Sequence, residues 1–141
     1  MYCTSSNILD DHKELSNMLH TALTMDIIPK YIPDAHVNQV TRTRLNGTVQ
    51  GVYYGPHNDV RNGQPGLWTF VYYVNDADGD TVFFSDDGKT EMKRTKYKKG
   101  NGVLFPAHYW HTMDVTSVPL RVSIGMTYSI ETKLNAEETT A

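Results

Sequence analysis

A chain of 141 residues, 39% hydrophobic, is long enough for one domain around one core and too short for two ordinary ones. Its 13 basic and 16 acidic residues leave a formal charge of −3 with neither sign concentrated, so charge alone implies no nucleic-acid or membrane-surface partner. No window approaches the roughly 18 apolar residues of a membrane span, no charged-then-hydrophobic leader opens the chain, and the one cysteine, Cys3, cannot make a disulfide framework or a thiolate cluster. The expectation is a single domain over residues 1–141, soluble and cytoplasmic, with any metal held by nitrogen and oxygen.

Ser5 and Ser6 stand as caps before Ile8, Leu15, Met18, Leu19, Ala22 and Leu23, whose spacing predicts one amphipathic helix over about residues 7–25, with Cys3 in a frayed terminus. Pro29 and Pro33 then close the helical options, since each lacks an amide donor and restricts its predecessor. From there the chain reads as strands. Residues 37–45 and 48–54 flank Asn46-Gly47, a strong hairpin signal. Further strands are predicted over 67–74, 81–84, 102–105, 109–115 and 120–130, with turns at 61–66, 75–80, 85–89 and 100–102. Short strands with regular punctuation mean an all-β sandwich or barrel behind one leading helix. Residues 132–141 read as a polar, mobile tail.

His57-Asn58-Asp59 puts an imidazole and a carboxylate two residues apart, which on an extended segment face the same way. Alone the triplet is weak. His111, in a second β-like run, supplies the third donor of a two-histidine, one-carboxylate facial triad, the set that leaves coordination positions open on a non-haem Fe(II). A structural zinc site would close its shell instead. His108 is the rival, but three residues from His111 on a strand it faces the other way.

Arg121 follows across a turn containing Val118-Pro119, so His111 and Arg121 are expected on neighbouring antiparallel strands. 2-Oxoglutarate chelates such an iron through its C1 carboxylate and C2 keto oxygen, leaving a C5 carboxylate that needs a bidentate cationic partner. Arg121 lies in the apolar run 120–124, where an unpaired charge is costly. Thr69 and Tyr73 share one face of the strand after the His-x-Asp loop, and either hydroxyl could supplement the arginine.

In order along the chain, His57-Asn58-Asp59, the strand 69–75, Asp78-Gly79-Asp80-Thr81, the segment 99–106, His111 and Arg121-Val122-Ser123 resemble the 2-oxoglutarate/Fe(II) dioxygenase superfamily. The resemblance covers about residues 37–130 and is to the prolyl-hydroxylase-like branch, including its small phage-encoded members. It implies a double-stranded β-helix (jelly-roll) core with His57, Asp59 and His111 as iron ligands and Arg121 on 2-oxoglutarate. Tyr73 and Ser123 fall where relatives place residues beside that arginine. The cofactors implied are Fe(II), 2-oxoglutarate as cosubstrate and O2, with ascorbate as an accessory reductant. Asp-Gly-Asp-Thr departs from the commoner Gly-Gly-Glu-Thr form, a difference expected to concern strand geometry. Relatives also carry more N-terminal helices, which points to minimal substrate elements or to a homodimer partner.

The function implied is hydroxylation of an unactivated C–H bond of a peptidyl residue such as proline, with release of succinate and CO2, in the host cytoplasm if the gene is a phage's. Alternatives are oxidation of a nucleobase or free small molecule, or a non-catalytic cupin-like metal or sugar binder, although a mere binder has no need of Arg121. Asp59 argues against halogenation, because halogenating relatives lack the carboxylate. Asp76, Asp78 and Asp80 alternate as in a calcium loop but lack its glycine position and terminal glutamate, so a solvated turn is expected. Residues 93–99 hold five basic side chains and read as a solvated strand, while keeping a nucleic-acid substrate open. Tyr53, Tyr54, Trp68 and Trp110 read as core or rim packing.

Overall fold

The computed structural model describes residues 3–7, 13–60 and 66–131. Ile8, the turn at 61–65 and the tail from Thr132 lie outside the described residues. The first element is β1 (Cys3–Asn7), so Ser5 and Ser6 are strand residues paired with Asn46 and Leu45, and Cys3 is paired with Thr48. The helical segment comprises α1 (Lys13–Ala22), a π-helical turn (Leu23–Ile27) and α2 (Ile28–Tyr31).

Helicity therefore continues past Pro29. The π turn ends with the Ile28 amide bonded to the Leu23 carbonyl, and Pro29 falls in the first turn of α2, where a missing amide donor costs little. The face buried is also shifted from the expected one. Leu23 and Ile28 are fully buried and Leu19, Ile27 and Ile32 pack beside them, whereas Met18 is 62% exposed and Leu15 faces out.

Seven strands follow: β2 (His36–Val49), β3 (Leu67–Tyr73), β4 (Thr81–Phe84), β5 (Glu91–Thr95), β6 (Gly102–Pro106), β7 (His111–Met113) and β8 (Leu120–Glu131). Among the described residues they form, together with β1, a five-stranded sheet in the order β1-β2-β8-β3-β6 and a three-stranded sheet in the order β5-β4-β7. The expected hairpin at Asn46-Gly47 is absent. β2 runs straight through, because Asn46 pairs with Ser123 on one side and Ser5 on the other, and Gly47 with Val122 and Thr4. Two ladders hold that dipeptide extended, and the positive φ a tight hairpin needs appears instead at Gly51, at +78°.

The two faces of the large sheet serve different purposes. Phe70, Ile124, Met126, Tyr128 and Ile130 point to one side and form the main core with Leu23 and Ile28. Thr69, Tyr73, Arg121, Ser123 and Thr127 point to the other, toward the small sheet. The chain forms β1 to β3 in the large sheet, passes to the small one for β4 and β5, returns for β6, crosses again for β7 and ends in the large sheet with β8, while a lone β-bridge from His57 to His111 extends the small sheet beyond β7. This is the double-stranded β-helix arrangement, with its fourth small-sheet strand reduced to that bridge and the helix on the outer face.

Candidate metal and dicarboxylate site

The bridge brings the first two histidines together. The His57 amide donates to the His111 carbonyl at 2.9 Å and the His111 amide to the His57 carbonyl at 2.8 Å, so their side chains stand side by side with ring centroids 4.4 Å apart. The Asp59 amide then donates to the Ala107 carbonyl at 2.8 Å, which turns the carboxylate back toward the imidazoles. Asp59 Oδ1 lies 3.7 Å from His57 Nε2, and Oδ2 lies 3.5 Å from His111 Nε2. One donor atom from each of the three falls within 4.8 Å of the others. His57 is exposed, while His111 and Asp59 are nearly covered.

Neighbouring groups fix how the donors point. His111 Nδ1 lies 2.9 Å from the Tyr109 carbonyl, so the proton sits on Nδ1 and Nε2 keeps its lone pair for an ion. Its ring rests on Phe105 and faces Phe83, and this desolvation holds its pKa below the usual histidine value despite the opposing pull of Asp59. A neutral imidazole is the form that ligates. Thr69 donates its hydroxyl to Asp59 Oδ2 at 2.8 Å, and Arg42 Nη2 stands 3.6 Å from Oδ1. His108 is not on a strand with His111 but in the turn before β7, exposed and edge-on to Tyr109, and it is not among the three grouped donors.

Arg121 is 2% exposed. Its Nε donates to the Gly79 carbonyl at 3.0 Å, and Nη1 lies 3.4 Å from both Ser123 Oγ and Met113 Sδ. The guanidinium carbon stands 4.7 Å from the Tyr97 ring centroid and 5.8 Å from that of Tyr73. Tyr73 shares a 2.7 Å hydrogen bond with the Thr81 hydroxyl, and burial pushes both tyrosine pKa values up and that of Arg121 down. No ion pair joins Arg121 to an acid among the described residues; its contacts are a carbonyl, a hydroxyl, a thioether and two rings. A buried guanidinium so placed suits an incoming carboxylate.

Arg121 is not on a strand beside His111. β7 belongs to the small sheet and β8 to the large one, because the connection from Asp114 to Pro119 crosses between sheets instead of closing a hairpin. The two residues face each other across the sandwich. Met113 makes the link: it is two residues from His111, about 7 Å along the strand, and its sulfur touches Nη1. Thr69 and Tyr73 share a face as expected but serve opposite ends of the cleft, Thr69 at Asp59 and Tyr73 at Arg121.

Sequence reasoning missed Arg42, Tyr97 and Gly79. Tyr97 sat inside an apparently solvated basic run, yet its hydroxyl donates to the Val122 carbonyl at 2.8 Å and its ring covers Arg121. Gly79, at φ +96°, belongs to the segment assigned only to strand geometry; a Cβ there would lie 2.8 Å from the Asp114 carbonyl and 3.1 Å from Arg121 Cδ. Its carbonyl instead positions the guanidinium. The aspartates of that loop diverge. Asp78 accepts from the Ser117 amide and hydroxyl and the Thr116 hydroxyl, Asp80 from the Tyr97 amide, and Asp76 lies 3.8 Å from Lys99. Trp68 packs on the helix side and Trp110 over Gly88, so neither lines the three donors. No helix among the described residues is long and apolar enough to cross a membrane.

The residues present fit an Fe(II) and a 2-oxoglutarate. Donor atoms of two imidazoles and one carboxylate lie within 4.8 Å of one another, and among the described residues no further His, Cys, Asp or Glu joins that group and the buried Arg121 across the sandwich lacks an acid partner.

The sequence pattern of the 2OG-Fe(II) oxygenase superfamily matches residues 39–128. No curated protein matches the chain by sequence. Among solved structures, a 2OG-Fe(II) oxygenase-family oxidoreductase from Burkholderia pseudomallei superimposes with a TM-score of 0.66 at 16% identity, covering 81% of this chain and 57% of its own. A Trichoplax adhaerens prolyl hydroxylase, in complex with a hypoxia inducible factor oxygen degradation domain peptide fragment, gives 0.64 at 16% identity over 99% of this chain and 66% of its own. The viral collagen prolyl hydroxylase of Paramecium bursaria Chlorella virus-1, as a 2OG complex, gives 0.63 at 13% identity over 91% and 79%. The chain thus spans little more than half the length of the first of these.

Proposed function

The chain belongs to the 2OG-Fe(II) oxygenase superfamily, and from this we propose that it hydroxylates an unactivated C–H bond of a peptidyl residue, proline foremost, consuming 2-oxoglutarate and O2 and releasing succinate and CO2. The observation that carries the reading is the pairing of two features in one cleft: three convergent donors and, against Met113, a buried arginine with no acid partner among the described residues. The peptidyl class is supported by the similar folds described as prolyl hydroxylases, one of them with a peptide.

In this reading His57, Asp59 and His111 hold the iron, which when bound supplies the redox chemistry. Thr69 and the Tyr109 carbonyl orient its ligands. Arg121 grips the C5 carboxylate of 2-oxoglutarate, Ser123 and Gly79 hold the guanidinium in register, and Tyr73 and Tyr97 exclude water around it. The low dielectric they create strengthens the ion pair. Exposed His57 marks the side from which substrate enters.

The test is anaerobic addition of Fe(II) and 2-oxoglutarate while watching for the visible metal-to-ligand charge-transfer band, followed by oxygen and a succinate assay. Asp59→Ala is expected to abolish both signals. A band of unchanged intensity in that variant would remove Asp59 from the metal. Inactivity of protein as isolated is no refutation until iron is restored, because divalent affinity rises from iron toward nickel and copper. Of the basic run that supported the nucleobase alternative, Arg94 is engaged by Glu91, Asp114 and Asp80 and Lys99 lies 3.8 Å from Asp76, which reduces the charge the run offers to phosphate.

A further inference from the structure

β2 presents Arg42, Arg44, Asn46 and Thr48 at alternate positions, opposite Thr127, Gly125, Ser123 and Arg121 of β8. Contacts fix the direction of this row. Thr48 Oγ1 lies 3.3 Å from Met113 Sδ in the small sheet, the Asn46 amide nitrogen comes within 3.4 Å of where a Gly125 Cβ would stand, and Arg42 reaches Asp59. The intervening Thr43 is fully buried, level with Met126 of the helix-side core. Arg44 therefore projects into the same cleft as the donor group. It is half-buried, its cross-strand neighbour Gly125 offers no side chain to cover it, and no hydrogen bond or ion pair engages its guanidinium among the described residues.

Charge makes this row informative. On the oxygenase reading, on which this inference rests, the charges of iron, Asp59, 2-oxoglutarate and Arg121 balance one another. Arg42 already faces Asp59, so Arg44 is the surplus cation beside the reacting centre, and a half-desolvated guanidinium without an anion is costly. We propose that Arg44, next on the strand face to the Asp59-paired Arg42, recognises substrate, and that the substrate carries a carboxylate close to the carbon oxidised. The planar forks favour that group, and the row already receives one carboxylate oxygen, Asp59 Oδ1. Arg44 stands about 7 Å along the strand from Arg42, so an anion held there lies beside the metal ligands and clear of the Arg121 end. The carboxylate comes either from an acidic side chain flanking the oxidised residue of a peptide or from a free amino or hydroxy acid.

The experiment begins with the charge-transfer band. If Fe(II) and 2-oxoglutarate give none, the oxygenase reading fails and takes this inference with it. With the band present, a fully degenerate hexapeptide library and a mixture of free amino and hydroxy acids are treated in parallel and searched for the gain of one oxygen. Expected is at least tenfold enrichment of Asp and Glu over Asn and Gln within two residues of the modified position, or oxidation confined to the free acids. Oxidised peptides without acidic enrichment, or no oxidised product in either arm, overturns the proposal. A binding measurement removes the dependence on turnover. Titrated into protein loaded with nickel(II) and 2-oxoglutarate, an Asp-flanked product of the library, or the oxidised free acid's parent, should bind at least tenfold more tightly than its amide counterpart. That preference should vanish in Arg44→Gln and return in part in Arg44→Lys. An intact preference in Arg44→Gln would place the anion elsewhere and sink the assignment.

Discussion

Replacing Arg121 by methionine separates ligand binding from structure. The side chain is buried and makes no ion pair with an acid among the described residues; its polar partners are the Gly79 carbonyl and the Ser123 hydroxyl. Without cosubstrate, methionine of similar volume leaves the Gly79 carbonyl short of a donor, at about 1–3 kcal/mol. It also relieves the desolvation of a buried charge, an effect of the same order and opposite sign. The apo variant should therefore unfold in urea within about 1.5 kcal/mol of the parent. With cosubstrate the two must diverge. A lost charge-assisted pair of about 1.5–3 kcal/mol corresponds to a roughly 10- to 150-fold weaker 2-oxoglutarate complex. At 2-oxoglutarate a hundredfold above the parent's Kd, the parent gains about 2.7 kcal/mol of ligand stabilisation and the variant a fraction of it. Denaturation with and without 2-oxoglutarate, both with metal present, reads all four quantities. Equal ligand stabilisation in parent and variant would refute the dicarboxylate role. A large loss of apo stability would mean that Arg121 is structural.

Thr69→Val keeps shape but removes the 2.8 Å hydrogen bond to Asp59 Oδ2, and iron affinity should fall about 10- to 100-fold in a metal titration, with 2-oxoglutarate affinity at a fixed metal loading little changed. Gly79→Ala forces a Cβ to 2.8 Å from the Asp114 carbonyl at φ +96°; about 1–3 kcal/mol should be lost in urea melts, together with cosubstrate affinity, because the Arg121 acceptor moves. Asp78 is held down to a pKa of about 2 by the Ser117 hydroxyl, the Ser117 amide and the Thr116 hydroxyl. Its folded value lies below its unfolded one, so the stability it contributes is present above about pH 4 and is lost as pH falls toward 2. Asp78→Asn should flatten that portion of a stability-versus-pH curve measured by denaturant melts, and an unchanged slope would discount the three hydrogen bonds.

Much of the architecture was legible because it rests on local pattern. Runs rich in β-branched and aromatic residues became β3, β4, β6 and β8 within a residue or two at each end, and Gly100 and Gly88, both at positive φ, lie in turns that composition marks. Failures came where a neighbouring strand outweighed local preference. Asn46-Gly47 is a hairpin signal in isolation, but ladders on both sides keep it extended. Ser5 and Ser6 look like caps until β2 offers an edge for β1 to join. Leu15 and Met18 fit a helical stripe, yet the helix turns Ser16, Leu19 and Leu23 inward because only that face meets the large sheet.

The candidate site divides in the same way. By itself the sequence determined which groups are available for a metal and a diacid on the proposed reading, His57, Asp59, His111 and Arg121, because ligand chemistry belongs to side-chain type and a two-residue spacing survives any extended backbone. Only the tertiary structure decided their arrangement. A β-bridge joins His57 to His111, a connection between sheets carries Arg121 to the wall opposite β7, and Thr69, Tyr97, Gly79 and Arg42 gather around them from four separate segments. Proximity among residues far apart in sequence is set by strand order, and no local periodicity encodes it.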